Sequence, residues 1–196
     1  MSHVKLFDSF FNEGALYEAA GLRGIKIGSQ TWATEDLKVT KFRNGEPIPL
    51  VKDSKEWAQL DSAAYCIAPG GYYLYNWFAV SDPRGLAPAG WRVPSIRDWQ
   101  KLVDELGGEK VAGEALKDDR KWDGTNSSGF SALPSGFRSG FINGDFMGQG
   151  KDGNWWTSSP DGSNAWYRTL YSEDLDAYQP SSSGRTRSGF SVRCIK

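Results

Sequence analysis

The sequence predicts an α+β domain, loop-rich and dominated by short β elements, and three observations carry that prediction. Glycine contributes 23 of the 196 residues, so the chain turns often. Aromatic residues are 14% of the chain against 39% for all hydrophobic residues, so the core must be built largely from Trp, Tyr and Phe. The clearest helical periodicity is in RVPSIRDWQKLVDELGG. There Ser95 is placed as a cap, Ile96, Trp99, Leu102, Val103 and Leu106 fall on one face, and Gly107 and Gly108 end the run. The length fits one domain with a short appendage.

Taken in order, residues 1–24 read as a helical appendage for attachment or oligomerisation. DSFFNEGALYEAAG offers Asp8 or Ser9 as N-cap, a stripe of Phe10, Phe11, Leu16 and Tyr17, and Gly21 as a stop. From Ile25, GIKIGSQTWATEDL alternates apolar and polar residues around a Gly-Ser turn, which predicts a hairpin or two short strands. NGEPIP is a turn, SKEWAQLDSAA one or two helical turns, YYLYNWFAV a buried aromatic run, and VAGEALK a second short helix. Beyond Trp122 the chain is Gly, Ser, Asn and aromatics, the composition of short strands joined by long ordered loops.

The formal net charge of -1 gives no electrostatic footprint for nucleic acid or an anionic membrane. No apolar run approaches the roughly 20 residues of a membrane span. MSHVKLFDSFF lacks the parts of a signal peptide, so cytoplasmic synthesis followed by virion incorporation or specialised export is expected. The only histidine is His3, which excludes Ser-His-Asp and Cys-His catalysis and leaves a zinc site unsupported. Cys66 and Cys194 read as two buried thiols, the alternative being a disulfide in an oxidising compartment. GQGKDG, Gly148 to Gly153, matches a dinucleotide pattern but lacks the flanking strand and helix, and reads as a loop. Asp145, Asp152, Asp161, Glu173, Asp174 and Asp176 read as turn and surface acids. The rival reading is a carbohydrate-active or metal-dependent enzyme, which needs two acids about 5–10 Å apart in a cleft. No cofactor is expected. Loop oxygens of NGDFMGQGKDGN are the one candidate for a structural calcium, and they lack the EF-hand order.

IKIGSQTWATEDL, GGYYLYNWFAV, AGWRVPSIRDWQKL, GFSALPSGFRSGF, WWTSS, AWYRTL and GFSVRCIK follow one another in order. From about Ile25 to Lys196 the chain thereby resembles the Fibrobacter succinogenes major paralogous domain. Through that family it resembles the C-type lectin-like fold, in the variant shared with formylglycine-generating enzymes and with variable proteins of diversity-generating retroelements. The resemblance implies small twisted antiparallel sheets, two flanking helices, and long loops between Phe130 and Arg187 on one face. It also implies a strand near IKIGSQTW paired with SGFSVRCI. Cys66 and Cys194 do not reproduce the closely spaced reactive pair of the formylglycine branch. YQPSSSG holds Gln-Pro without a following acid, so the calcium-dependent sugar signature is missing as well.

WWTSS and GFSVRC would then be scaffold, and the residues between them the ligand surface: Asp161, Ser163, Asn164, Tyr167, Thr169, Tyr171, Glu173, Asp174, Asp176, Tyr178, Ser181, Ser182, Ser183, Arg185 and Arg187. Tyr, Ser, Asn, Asp and Arg dominate this set, as they dominate paratopes. AWYRTLY alternates, which predicts Trp166, Arg168 and Leu170 inward and Tyr167, Thr169 and Tyr171 outward. Trp32, Trp77, Trp91, Trp99 and Trp156 are predicted core, with Trp155 or Trp166 at the rim. The expected function is non-enzymatic: a bacterial or phage receptor-binding or adhesion protein with a retroelement-diversified surface. Its partner would be a protein or glycan on a cell or virion surface.

Overall fold

A computed structural model describes residues 17–19, 21–141, 143–172, 174–178 and 184–196, with the backbone alone at 17–19, 178 and 184–185. The first sheet holds β1 (Tyr17–Ala19), β2 (Leu22–Ile27) and β3 (Gln30–Ala33), paired antiparallel in that order. Gly28 sits at φ +56° in the β2–β3 turn, a conformation that favours glycine, and the predicted hairpin forms around it. Tyr17–Ala19 corrects the appendage reading, because these residues are extended where a helix end is expected. Gly21, at φ +79°, turns the chain so that residues 17–19 pair with 22–24 instead. The rest of that predicted helix, Asp8 to Leu16, lies outside the described residues.

Next come α1 (Ser54–Gln59), capped by the Asp53 carboxylate, and the hairpin of β4 (Tyr65–Ala68) with β5 (Tyr72–Tyr75). The aromatic run continues into α2 (Trp77–Val80), capped by Asn76. The predicted long helix is α3 (Ile96–Glu105). Ser95 accepts from the Asp98 N–H while the Asp98 side chain accepts from the Ser95 N–H, a reciprocal cap. Trp99, Leu102 and Val103 are its buried face, and Gly107 and Gly108, both near φ +98°, lead into α4 (Glu109–Leu116). After the short pair β6 (Phe137–Arg138) and β7 (Phe146–Met147) comes the largest sheet. It contains β8 (Asp152–Asp161), β9 (Asn164–Tyr171), β10 (Ala177–Tyr178) and β11 (Gly184–Arg185), with β10 and β11 both on the far edge of β9. The architecture is α+β with small antiparallel sheets, as expected.

β8 is the spine of the molecule. Successive residues of a strand point to opposite faces, so Trp155 and Trp156 enter different clusters. Trp155 joins Trp32, Trp99, Leu102, Phe130 and Leu170 beneath α3 and α4. Trp156 joins Tyr75, Val80, Phe190 and Val192 on the other side. Both indoles are fully enclosed, which corrects the rim placement of Trp155. Trp32, Trp91, Trp99 and Trp156 are core as predicted; Trp77 and Trp166 are half-buried. A smaller cluster gathers Trp57, Cys66 and Leu74. Cys66 and Cys194 are buried free thiols, and burial raises them to about 11 and about 12.

The first hairpin and the closing segment meet, as the resemblance implies. The Ala33 N–H donates to Cys194 O (2.9 Å), the Leu37 N–H to Val192 O (2.8 Å) and the Lys196 N–H to Thr31 O (3.0 Å). No helix among the described residues is long and apolar enough to cross a membrane.

Candidate ligand-binding surface

The predicted surface lies on the β8–β9 ribbon and its far edge. β8 and β9 meet at the two-residue turn Gly162-Ser163, with Gly162 at φ +59°. The register shifts between Trp156 and Pro160. The displaced residues dock on the start of α3: Ser158 N–H donates to Pro94 O (2.8 Å) and Ser159 Oγ accepts from Ile96 N–H (3.1 Å). The hairpin tip is thereby tied to the most regular helix of the domain.

Two residues of the outward set are corrected. Thr169 is buried, and its hydroxyl donates to Asn154 Oδ1 (2.8 Å), directly across the ribbon. Tyr167 is half-buried against Phe190 and Trp156, with ring centroids 4.7 and 6.2 Å away. The cause is that β8 and β9 run through the middle of the fold, so both faces are covered. A strand buried on both sides shows no inward and outward set. Arg168 and Leu170 are buried, whereas Trp166, expected inward with them, is half-buried.

What remains is two clusters rather than one face. Asp161, Ser163 and Asn164 form the hairpin tip, and Arg185 pairs there through its backbone. Tyr171, Asp174 and Asp176 lie at the other end, about 23 Å away at roughly 3.3 Å per residue. Tyr178 pairs with Thr169 through its backbone. Glu173, Ser181, Ser182 and Ser183 lie outside the described residues.

At the tip, Asn164 and Arg187 line a groove of about 250 Å³ with Phe78, Gly140, Phe141 and Thr186. Phe141 is 55% exposed, the highest among the exposed large apolar side chains described. Arg187 is held by a hydrogen bond from Nε to Leu60 O (2.6 Å). The Phe141 segment is anchored by Arg138, which is completely buried. Its Nε, Nη1 and Nη2 donate to Gly144 O, Val51 O and Lys52 O at 2.8–2.9 Å, and its guanidinium lies between the rings of Trp57 and Phe146. The sequence reading missed Phe78 and Phe141. The signal was present in GFRSGF, where a phenylalanine follows Ser-Gly in a turn-rich segment.

The opposite end is pinned by another buried cation. Lys117 Nζ donates to Tyr171 O (3.2 Å) and Asp174 O (2.9 Å) and pairs with Asp123 (2.8 Å). Among the predicted acids, Asp152 is perturbed: burial raises its carboxyl to about 6, against a lowering hydrogen bond from Asn154 Nδ2.

A second concavity was not foreseen. A polar cleft of about 300 Å³ opens between residues 34–38, the β4–β5 turn, residues 118–121 and residues 131–133. In its wall Asp36 Oδ1 accepts from Trp155 Nε1 and from Arg193 Nε, both at 2.8 Å. Arg193 is buried, stacks on Phe130 with its Cζ 4.2 Å from the ring centroid, and also donates to Ala33 O, Phe130 O and Ser131 O. Among the described residues no group of three or more His, Cys, Asp and Glu side chains is set to hold a metal ion.

Comparison with curated proteins and with solved structures gives no match to the chain. A family model does match, over residues 25–196, which takes in the β2–β3 hairpin, both helices α3 and α4, the β8–β9 ribbon and the closing segment. By that match, the protein belongs to the Fibrobacter succinogenes major domain family.

Proposed function

We propose that the protein is a non-enzymatic binding domain of C-type lectin-like fold, acting in receptor binding or adhesion. Its contact surface would centre on the β8–β9 hairpin tip, with Asp161, Ser163, Asn164 and Arg187 around the Phe78–Phe141 groove. The observation that carries this reading is Phe141. It stands largely exposed beside an arginine and an asparagine, on a segment that Arg138 fixes to the core. An exposed aromatic on a rigid base loses little entropy on contact, and aromatic and arginine side chains dominate binding energy. The partner is a protein or glycan on a cell or virion surface. Diversification of the segment by a retroelement is the most specific form of the proposal.

The test is the combined variant F141A/N164A/R187A, with unchanged circular dichroism as the control for folding. Loss of one strong anchor costs about 2 kcal/mol or more, so binding to the cognate cell or virion should fall by at least about 30-fold. A folded variant that binds as the parent does would remove the hairpin tip from consideration. Diversification is checked in the neighbouring DNA, by a near-copy of the segment differing at adenines beside a reverse transcriptase gene.

A further inference from the structure

The polar cleft is separate from the hairpin tip and has the makings of a small-molecule site. Its volume of about 300 Å³ is at the lower end of ligand pockets. Two carboxylates in its wall are held rigidly through one oxygen each. Asp36 uses Oδ1 for Trp155 and Arg193, and Asp118 uses Oδ1 for the N–H groups of Arg120 (3.0 Å) and Lys121 (2.8 Å). Neither Oδ2 takes a hydrogen bond from a described residue, so each carboxylate keeps a fixed, charged acceptor in reserve.

Charge decides which class of ligand fits. The acids Glu35, Asp36 and Asp118 are matched by Lys38, Lys121 and the buried Arg193 behind them. A full anion or cation would find as much repulsion as attraction, whereas a neutral molecule rich in hydroxyl groups finds both acceptors and donors. Hydrogen bonds from a hydroxyl to an ionised acceptor are roughly twice as strong as neutral ones. The rest of the wall includes two tyrosines beside the hydroxyls of Thr34, Ser131 and Ser191. Tyr72 and Tyr73 are half-buried, and the Tyr73 ring is backed by Tyr65 at 5.6 Å with the planes 7° apart. At the lip, Gly71 sits at φ +80° with nothing within 4 Å of the place its side chain would take, which leaves the entrance open.

We propose that this cleft binds a neutral carbohydrate, a monosaccharide or disaccharide. The Asp36 and Asp118 carboxylates would accept from sugar hydroxyls, Lys38 and Lys121 would donate to them, and a tyrosine ring would cover the apolar face of the sugar. The proposal does not depend on the hairpin-tip reading, and the two are separated by their variants.

The experiment is a backbone amide NMR titration of the full chain with neutral mono- and disaccharides, with a sugar phosphate and an amino sugar as charged controls. The expected result is saturable shifts around Glu35, Lys38, Gly71 and Lys121 with at least one neutral sugar, and weaker or no response to the charged ones. Y72A should weaken that binding at least tenfold. E35A/K38A/K121A, which alters exposed side chains alone, should do the same while keeping the parent spectrum elsewhere. N164A/R187A should leave it unchanged. The proposal is overturned if no neutral sugar gives saturable shifts, if a charged sugar binds better, or if E35A/K38A/K121A binds undiminished.

Discussion

The groove at the hairpin tip and the polar cleft each rest on a buried arginine, but the two guanidinium groups are satisfied differently. Arg193, behind the cleft, has a carboxylate partner in Asp36 together with loop carbonyls. Arg138, behind the groove, is surrounded by three carbonyls and two aromatic rings, with no carboxylate among its described contacts. In both places a long planar cation ties together segments far apart in sequence, Arg193 to Asp36 and Phe130, and Arg138 to Val51 and Lys52. A loop-rich fold gains order in this way where regular hydrogen-bond ladders are short. The difference lies in what each leaves behind when broken: a buried charge in one case, neutral carbonyls in the other.

That difference is open to mutation, and the largest effect should come from the ion pair. D36A strands the Arg193 charge in the interior and should cost about 3–5 kcal/mol in denaturant unfolding. R138M removes the charge itself and leaves Gly144, Val51 and Lys52 carbonyls without donors, so about 2–3 kcal/mol is expected. If the two variants cost the same, the distinction between charge-paired and carbonyl-paired arginine has no energetic meaning here. T169V, which keeps shape but deletes the hydroxyl bond to Asn154, should cost about 1 kcal/mol.

Asp152 offers a test by pH. Its carboxyl is raised in the folded state by burial, so the folded protein binds this proton more tightly than the unfolded chain does. Stability from this group is present at low pH and is lost as pH rises from about 4, the ordinary aspartate value, to about 6. Because the group is partly exposed, the loss is reduced by solvent to about 1 kcal/mol. D152N should recover that amount at pH 7 and flatten the stability profile between these limits. S163A, at the exposed hairpin turn, should stay within about 0.5 kcal/mol and so marks the baseline.

The scaffold was legible in the sequence because its signals are local. Ser95, Trp99, Leu102, Val103 and the Gly107-Gly108 stop specify α3 within fourteen successive positions, and the Gly28-Ser29 turn specifies its hairpin. The candidate surface was legible only at its tip. Alternation along residues 165–171 is a property of one strand, while exposure depends on what lies above and below it. The cover over Tyr167 and Thr169 comes from Phe190, Trp156 and Asn154, which the register of another strand and the closing segment bring in. The cleft was invisible for the same reason: Asp36, Tyr73 and Asp118 are far apart in the chain and share no motif. Tyr17–Ala19 failed for a different reason, since good helix formers lost to strand pairing across the Gly21 turn.

The segment at residues 189–196 bears on how the chain is made. It pairs with Trp32 through Ile195, with Arg92 through Ile195, and with β5 through Phe190, and it lies beside β8 through Ser191. While a ribosome is still adding these residues, β3, β5 and β8 have lost no part of their sequence, yet each lacks a neighbour. Such late, long-range closure makes folding slow compared with local folds, and it leaves unpaired edges exposed to aggregation until it occurs. A nascent chain paused before Phe190 should therefore remain protease-sensitive despite carrying all nine tryptophans of the sequence.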